Sequence, residues 1–252
     1  MSRKPRVLSN SGIYHLIARG IDKAMIFIED DDCYYFLSCL SEVAGDEGVE
    51  IHSYCLMGNH FHLLVKTNRQ ESPARFMKRL EIKYAMYFNR KYERVGALFQ
   101  GRYKSECVED DDYYLTVFRY ILRNPVKAHI ADSAFDYEWS SAKELISSNR
   151  GLTAFDDVLA IIEKDDLIRF IEEDQADECA DVDNATSYVS DRVAKEVFQA
   201  EFGNHVLLDV RNYDIKTQRK VFGLLTDNHC SGRQISRLTG VPRGLIRRLL
   251  TA

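Results

Sequence analysis

Two histidines separated by one residue are the feature of this sequence best suited to chemistry. His60 and His62 stand in the apolar run HFHLLV, which is typical of a β-strand. Side chains at positions i and i+2 of a strand project from the same face. Both imidazoles can therefore bind one divalent cation, while Phe61 turns to the opposite face. The alternative is a pair that simply faces solvent, because a His-x-His pattern by itself is a weak indicator.

A second group of candidates lies on a predicted helix over residues 111–124. Steps of four, three and four residues place these side chains on one helix face: Tyr113, Val117, Tyr120 and Asn124. A phenol with a pKa near 10 is a poor nucleophile, but a nearby divalent cation and a polarised phosphate make it competent. Asn124 offers an amide oxygen to a hard cation. Because the chain has 14 tyrosines, a purely structural role for Tyr120 is the alternative, and Tyr113 is a second candidate nucleophile.

These two groups together indicate phosphodiester chemistry. A site of two histidines and one oxygen ligand leaves positions open for phosphate oxygens and polarises the phosphorus. Tyr120 on the adjacent helix would attack that phosphorus and form a phosphotyrosyl intermediate. The basic helix of residues 75–91 would hold the nucleic-acid strand through its phosphates, and we expect Lys78, Arg79 and Lys83 to make those contacts.

The distribution of charge favours a polyanionic partner, although the net charge of the chain is −5. Residues 75–104 carry nine basic and two acidic side chains, and residues 211–252 carry nine basic and two acidic side chains. Between them, residues 156–185 carry twelve acidic and two basic side chains. Two basic blocks therefore flank an acidic one. For either basic block alone, a solvated helix face is the commoner explanation.

The elements that must position these residues alternate between strand and helix. The patterns predict strands near residues 11–20, 49–56 and 60–66, helices at 30–47 and 72–92, a strand ending near 109, and a helix at 111–124 that stops at Pro125. Ser72 is a candidate cap for the second helix. The order β-α-β-β-α-β-α predicts an α+β fold, a ferredoxin-like sandwich with an antiparallel sheet.

Five segments of the chain then reveal a family resemblance. They are YHLIARG (14–20), SYCLMGNHFHLLVKT (53–67), GALFQGRYKS (96–105), RYILRNPVKAHI (119–130) and YEWSSAKE (137–144). In this order they resemble the single-tyrosine HUH transposases, and most closely the REP-associated tyrosine transposases. The resemblance covers about residues 10–145 and is far more specific than the histidine pair alone. It implies the HUH endonuclease type of the ferredoxin-like sandwich.

The resemblance also implies roles for individual residues. In this family the histidine pair binds Mg²⁺ or Mn²⁺, and the tyrosine of the late helix cleaves single-stranded DNA at a hairpin-flanked end. The products are a 5′-phosphotyrosine and a free 3′-OH, and the reverse reaction joins ends. The resemblance thus implies His60 and His62 as metal ligands, Tyr120 as the nucleophile and Asn124 as the third ligand. Arg102 and Lys104 are expected to contact phosphate, or else are surface charges on a hairpin.

The C-terminal segment has the sequence pattern of a helix-turn-helix. In residues 231–250, Gly240 separates two short amphipathic stretches. The second stretch would present Arg243, Arg247 and Arg248 to phosphates or guanine edges of duplex DNA. A plain amphipathic helix pair is the alternative. We therefore predict a catalytic domain at residues 1–149, a helical and acidic connector at 150–186, and an all-α domain at 187–252.

The sequence thus predicts a metal-dependent DNA transposase or nickase. The alternatives are a DNA-binding regulator with an inactive transposase domain, and a replication-initiation or relaxase-type nuclease. The latter is disfavoured because those enzymes commonly carry a second tyrosine or a three-histidine cluster.

No apolar run approaches the length of a membrane span, and the six cysteines show no CxxC spacing, so we expect free thiols and a cytoplasmic protein. A monomer and a homodimer both fit. We expect activity to fall below about pH 6 as histidines protonate.

Overall fold

The computed structural model divides the chain into two compact units, Met1–Ala185 and Thr186–Ala252. It describes residues 7–67, 72–147, 151–173, 179, 191–203, 205–228, 230 and 232–251. Much of the predicted acidic connector, residues 174–178 and 180–190, lies outside the described residues, as does Ser231 at the start of the predicted helix-turn-helix.

The first unit is built on a four-stranded antiparallel sheet. Its strands are β1 (Ile13–Arg19), β2 (Glu50–Met57), β3 (His60–Lys66) and β4 (Lys104–Val108), in the order β2-β3-β1-β4. Helix α1 (Asp30–Glu47) connects β1 to β2, and helix α2 (Ala74–Lys91) connects β3 to β4. This element order and strand order form the ferredoxin-like sandwich, so the predicted fold class is confirmed.

Alternation along β3 assigns its side chains to two different layers. Phe61, Leu63 and Val65 pack in the core beneath α1 and α2. Leu64 belongs to a second core on the other face of the sheet, together with Val117, which lies on helix α3 (Asp111–Lys127). Because successive strand side chains point to opposite faces, His60 and His62 lie on the α3 side.

Helix α3 begins where the sequence indicates but extends further. The Asp110 carboxylate accepts the backbone N–H of Tyr113 at 2.8 Å, which caps the first turn. The expectation that Pro125 stops the helix is wrong, because α3 continues to Lys127. A proline removes one N–H donor and crowds one carbonyl, but it does not prevent later residues from forming helical hydrogen bonds. The N–H of Ala128 still donates to the carbonyl of Asn124 at 3.0 Å.

Among the described residues of the first unit, three short α-helices follow α3: α4 (Ala142–Ile146), α5 (Asp156–Ile161) and α6 (Lys164–Glu172). Hydrogen bonds connect α6 to α3. The guanidinium of Arg123 on α3 donates to the carbonyls of Ile171 at 3.1 Å and Glu172 at 2.7 Å on α6. Helix α2 begins at Ala74, two residues later than expected, and Ser72 Oγ accepts the N–H of Ala74 at 3.3 Å.

The second unit is helical, as the sequence predicts. It contains α7 (Asp191–Phe202), a 3₁₀ turn (Leu207–Asn212), α8 (Ile215–Asp227), α9 (Gly232–Thr239) and α10 (Arg243–Thr251). The turn between α9 and α10 passes through Gly240, whose φ of +70° favours glycine. Ile235, Val241 and Ile246 are buried. Within the described residues, no helix has the length and apolar character to cross a membrane.

Candidate active site

The histidine pair lies where strand alternation places it. His60 and His62 are both fully buried, and their ring centroids are 5.0 Å apart. The rings meet edge to face at an interplanar angle of 77°. Two imidazoles on one strand face thus converge on one point beneath α3.

Tyr120 reaches the same point from helix α3. Its ring centroid lies 5.7 Å from that of His62, and the residue is only 4% exposed. Val117 and Tyr120 are three residues apart and therefore share one face of α3. This face packs toward the sheet. The structure therefore brings the predicted nucleophile and the predicted metal ligands together.

A third histidine, which the sequence analysis missed, lies beside this pair and contacts His62. His15 on β1 is fully buried, and its Nε2 lies 3.0 Å from Nδ1 of His62. Its ring centroid is 6.0 Å from that of Tyr120. Its Nδ1 lies 3.4 Å from Oε2 of Glu106 on β4. In the sequence, the alternation along β1 indicates which sheet face His15 shares with its neighbours on that strand. It does not indicate which strands pair with β1, and therefore does not predict the contact with His62.

Hydrogen bonds leave one nitrogen of each paired histidine available to a cation. Nδ1 of His60 lies 2.7 Å from Oδ1 of Asn59, while Nδ1 of His62 is engaged by His15. Nε2 of His60 and Nε2 of His62 are buried and have no hydrogen-bond partner in the described part of the chain. Neutral imidazole nitrogens are good ligands for divalent transition metals, so the two orphaned atoms fit such an ion.

The third predicted ligand, Asn124, lies one turn after Tyr120 on α3. Its Nδ2 donates to the carbonyl of Tyr120 at 3.0 Å, and the residue is buried. That bond occupies the amide nitrogen and leaves the oxygen as the atom that can bind a cation. Among the residues that the structure describes, no group of three or more His, Cys, Asp or Glu could hold a metal. An ion held here would therefore need other oxygen ligands besides the histidines.

Burial keeps the paired imidazoles neutral. Desolvation and the nearby Arg19 guanidinium lower the pKa of His60 to about 3. The pKa of His62 is also lowered, first by desolvation, then by the neighbouring His60 and His15, and least by the charge of Lys127. The expected loss of neutral imidazole at about pH 6 applies to an exposed histidine. In this buried site it moves to lower pH.

This burial makes the stability of the metal-free protein depend on pH. In the unfolded chain His60 protonates below about pH 6.5, whereas in the folded chain it resists protonation down to about pH 3. Between these values the unfolded state binds more protons, so stability falls as pH falls, by about 1.4 kcal/mol per pH unit for this residue. We expect chemical denaturation in EDTA at pH 6.5, 5.5 and 4.5 to show this slope, and a smaller slope for His60→Asn. An equal slope in the variant would contradict this explanation.

Lys127, at the end of α3, adds a positive charge to the site. Its Nζ lies 4.3 Å from the ring centroid of Tyr120. The sequence offered a signal for this contact, since residues 120 and 127 are two helical turns apart and share a face. An ammonium in this position offsets negative charge that develops on a phenol oxygen or on a phosphate beside it.

Tyr113, the second candidate nucleophile, has different surroundings. Burial and the nearby Glu106 carboxylate raise its pKa. A raised pKa disfavours the phenolate. The structure thus places Tyr120 against the histidine rings and Tyr113 against Glu106.

The basic residues of α2 lie in the layer opposite the histidine pair. The Arg79 guanidinium donates to Glu47 at 2.6 Å and to Asp46 at 2.7 Å. Lys83 forms an ion pair with Glu42, and Lys78 is exposed. Since α2 packs on the face that carries Phe61, these residues are not brought to the histidines. Their contact with DNA stays a prediction, and it would have to occur at a different surface.

A second set of basic residues surrounds a cavity at the end of β1. The cavity has a volume of about 720 Å³. Arg19, which is paired with His60 in the β1–β3 register, lines it together with Arg102 and Lys104. Acidic side chains line it too, namely Asp22 and Glu81. Arg102 and Lys104, the predicted phosphate-contacting residues, therefore lie at one opening. This opening is at the end of β1, the strand that pairs with β3 at His60.

In the second unit, the predicted DNA-binding arginines lie on α10. Arg243, Arg247 and Arg248 are exposed, while Ile246 on the same helix is buried. Helix α10 packs against both α8 and α9. The arginines thus occupy the outer face of a small three-helix cluster.

Comparisons with known proteins find similarity to transposases. The sequence model of a family described as "Transposase IS200 like" matches residues 9–124, a range that includes His15, His60, His62, Tyr120 and Asn124. A solved structure of a REP-associated tyrosine transposase bound to a REP hairpin has a TM-score of 0.52 and 16% identity, and the match covers 75% of this chain and all of that one. A protein from Deinococcus radiodurans, named as a candidate transposase, has a TM-score of 0.36 and 20% identity over 48% of this chain and 95% of that one. No curated protein matches.

Proposed function

We propose that the protein cleaves and rejoins single-stranded DNA through a covalent bond to Tyr120, and the match of residues 9–124 to the IS200-like transposase family model supports this. The observation that carries the proposal is the convergence of Tyr120 with two buried histidines, at a ring distance of 5.7 Å from His62. Beside this tyrosine, Nε2 of His60 and Nε2 of His62 are buried without a hydrogen-bond partner in the described residues, which supports a role beyond filling the core.

We infer a single displacement at phosphorus. The phenol oxygen of Tyr120 forms a bond to the phosphorus, and the bond from phosphorus to the 3′ oxygen breaks. The phenol proton passes to water, and water returns a proton to the 3′ oxygen. The products are a 5′-phosphotyrosine and a free 3′-OH. Because the phosphodiester is exchanged rather than hydrolysed, the reverse step can join the bound 5′ end to another 3′-OH without an external energy source.

His60 and His62 would hold Mg²⁺ or Mn²⁺, with Asn124 as the further ligand. When bound, such an ion polarises the phosphate and compensates its charge. The chain's own contribution is to keep both imidazoles neutral by burial and to hold the amide of Asn124 through its nitrogen, which leaves the oxygen for the cation.

The charge of Lys127 leads to a specific prediction. Replacing Lys127 with methionine should slow single-turnover cleavage by about tenfold, a modest figure because the side chain is exposed and its charge is screened. Lys127→Arg keeps the charge and should cleave at a rate close to that of the unmodified protein. The rate is measured by quenched-flow assays with a labelled hairpin oligonucleotide. Equal rates for the methionine and arginine variants would show that the charge does not contribute.

We propose hairpin-flanked, REP-like single-stranded DNA as the substrate. The similar solved structure is of a protein bound to a REP hairpin, which supports this substrate class. Arg102 and Lys104 at the 720 Å³ cavity would contact the phosphates of the strand that leads to the site. One chain supplies His60, His62 and Tyr120, so we infer that a monomer can assemble a complete site, although a homodimer is compatible with it. A cytoplasmic protein fits the six free cysteines.

We propose that the second unit binds duplex DNA through a helix-turn-helix formed by α9 and α10. The exposed arginines of α10 and the turn at Gly240 support this. Replacing both Arg243 and Arg247 with alanine should reduce duplex affinity at low salt by about tenfold or more and lower the salt slope by about two. Fluorescence anisotropy over a salt series measures both. Cleavage of a hairpin oligonucleotide serves as the control, and we expect it to be unchanged. An unaltered duplex affinity would count against the helix-turn-helix assignment.

A different class of function, a DNA-binding regulator with an inactive transposase domain, would share the basic surfaces. The intact set of two histidines and a tyrosine favours the enzyme. Incubating the protein with a hairpin oligonucleotide and Mn²⁺ separates these functions. A covalent protein–DNA adduct in a denaturing gel supports the transposase, whereas DNA that is shifted in a native gel but never cleaved supports the regulator.

A further inference from the structure

Three side chains from three adjacent strands form a hydrogen-bonded chain that ends at the proposed metal site. Glu106 on β4 contacts Nδ1 of His15 on β1 at 3.4 Å, and Nε2 of His15 contacts Nδ1 of His62 on β3 at 3.0 Å. We propose that His15 and Glu106 are positioning residues that hold His62 as the tautomer with its proton on Nδ1 and its lone pair on Nε2. This inference rests on the proposed function, since it assigns those residues to the same site.

The direction of the chain follows from which atoms can donate. A carboxylate only accepts hydrogen bonds, so Nδ1 of His15 carries the proton that Glu106 accepts. The opposite nitrogen of a neutral His15, Nε2, is then an acceptor, and His62 must donate to it from Nδ1. Consequently Nε2 of His62 carries the lone pair that a metal ion requires.

The opposite tautomers would be penalised at both ends of the chain. If His15 donated from Nε2, its Nδ1 lone pair would face the lone pairs of the Glu106 carboxylate. His62 would then carry its proton on Nε2, which is buried without a hydrogen-bond partner in the described residues. A buried donor without an acceptor is unfavourable. Both ends therefore favour the same arrangement.

The sheet register makes this chain possible. His15 is directly opposite Glu106 in the β1–β4 pairing, and β1 also pairs with β3, where Ile17 is opposite His62. Side chains directly opposite each other share a sheet face. Glu106 is 30% exposed while both histidines are fully buried, so the chain runs from the solvent edge of the sheet to its covered centre.

His60 is oriented by separate contacts, and this offers an internal control. Asn59 donates from Nδ2 to the carbonyl of Lys23 at 3.4 Å, which leaves its Oδ1 to accept from Nδ1 of His60 at 2.7 Å. His60 therefore has the same tautomer as His62 but owes it to Asn59. A change at His15 should alter His62 alone.

The tautomers can be read by ¹⁵N NMR of the full-length, metal-free protein. Long-range ¹H–¹⁵N spectra should show Nδ1 of His62 protonated and Nε2 unprotonated. In His15→Leu we expect a mixture of both tautomers at His62, with His60 unchanged. In His15→Gln the side-chain oxygen can accept from Nδ1, so we expect the original tautomer to be restored. Mn²⁺ titration without DNA should show affinity about tenfold or more weaker in His15→Leu and largely recovered in His15→Gln.

Several outcomes would overturn the inference. These are a His62 tautomer in His15→Leu that matches the unmodified protein, a mixture in the unmodified protein itself, or Mn²⁺ affinities within twofold across the series. If His15→Leu does not fold, Glu106→Val at the sheet edge provides the second test, with the same expected mixture at His62 and the same overturning result. Because neither measurement uses DNA, failure of the transposase proposal would appear separately, as a missing covalent adduct in the unmodified protein.

Discussion

Replacing Tyr120 with phenylalanine is expected to abolish the covalent protein–DNA adduct and to reduce cleavage of a hairpin oligonucleotide by about a thousandfold or more. The substitution removes the one oxygen that would bond to phosphorus. It keeps the ring that packs 5.7 Å from His62 and 6.0 Å from His15, so the fold and the affinity for uncleaved DNA should change little. Adduct formation is measured on a denaturing gel, and binding by fluorescence anisotropy.

The matched control is Tyr113→Phe on the same helix. Glu106, and not the histidine pair, is the charged neighbour that raises the pKa of Tyr113, so loss of its hydroxyl should leave the adduct in place. If Tyr113→Phe abolished the adduct and Tyr120→Phe retained it, the assignment of the nucleophile would be wrong. If both single variants retained it, neither of these tyrosines would be the required nucleophile.

The second large effect is expected at the histidine pair. Replacing His62 with alanine removes the orphaned Nε2 and should reduce metal-dependent cleavage by about a hundredfold or more, together with the affinity of the metal-free protein for Mn²⁺. Isothermal titration with Mn²⁺ and cleavage rates over a Mn²⁺ series measure the two losses. Excess EDTA should stop the unmodified protein in the same way.

A buried histidine outside the site provides the control for destabilisation. His52 on β2 is also buried, and its Nδ1 is hydrogen-bonded to the hydroxyl of Tyr114 at 3.0 Å. His52→Ala should lower the melting temperature by an amount comparable to that of His62→Ala but leave Mn²⁺ affinity unchanged. Equal Mn²⁺ affinity in His62→Ala and the unmodified protein would rule out His62 as a ligand.

The local features of this site could be predicted from the sequence because they depend on short periods. Strand alternation placed His60 and His62 on one face, and helical steps placed Tyr120 near Val117 and Asn124. The order of strands and helices was sufficient to predict the sandwich. His15 and Glu106 were missed because their contact depends on which strands pair and in which register, and these pairings join residues 91 positions apart.

Charge was the less reliable guide. The basic side chains of α2 indicated a DNA-binding face, yet Arg79 and Lys83 pair with acids of α1. A count of charges along one helix does not show the partners that a neighbouring helix supplies. The expectation that activity falls near pH 6 also changes. Layers on both sides of the sheet bury β3, and this burial lowers the pKa of His60 to about 3. The sequence of β3 alone does not show those layers.

We propose that Tyr120 becomes covalently linked to the 5′ end of cleaved DNA. Mass spectrometry of the adduct, after nuclease trimming and proteolysis, identifies the modified residue directly. We predict a nucleotide attached to the peptide that contains Tyr120, and its absence when Mn²⁺ is withheld. A nucleotide on any other residue, or cleaved DNA with no linked peptide at all, would contradict the proposed mechanism.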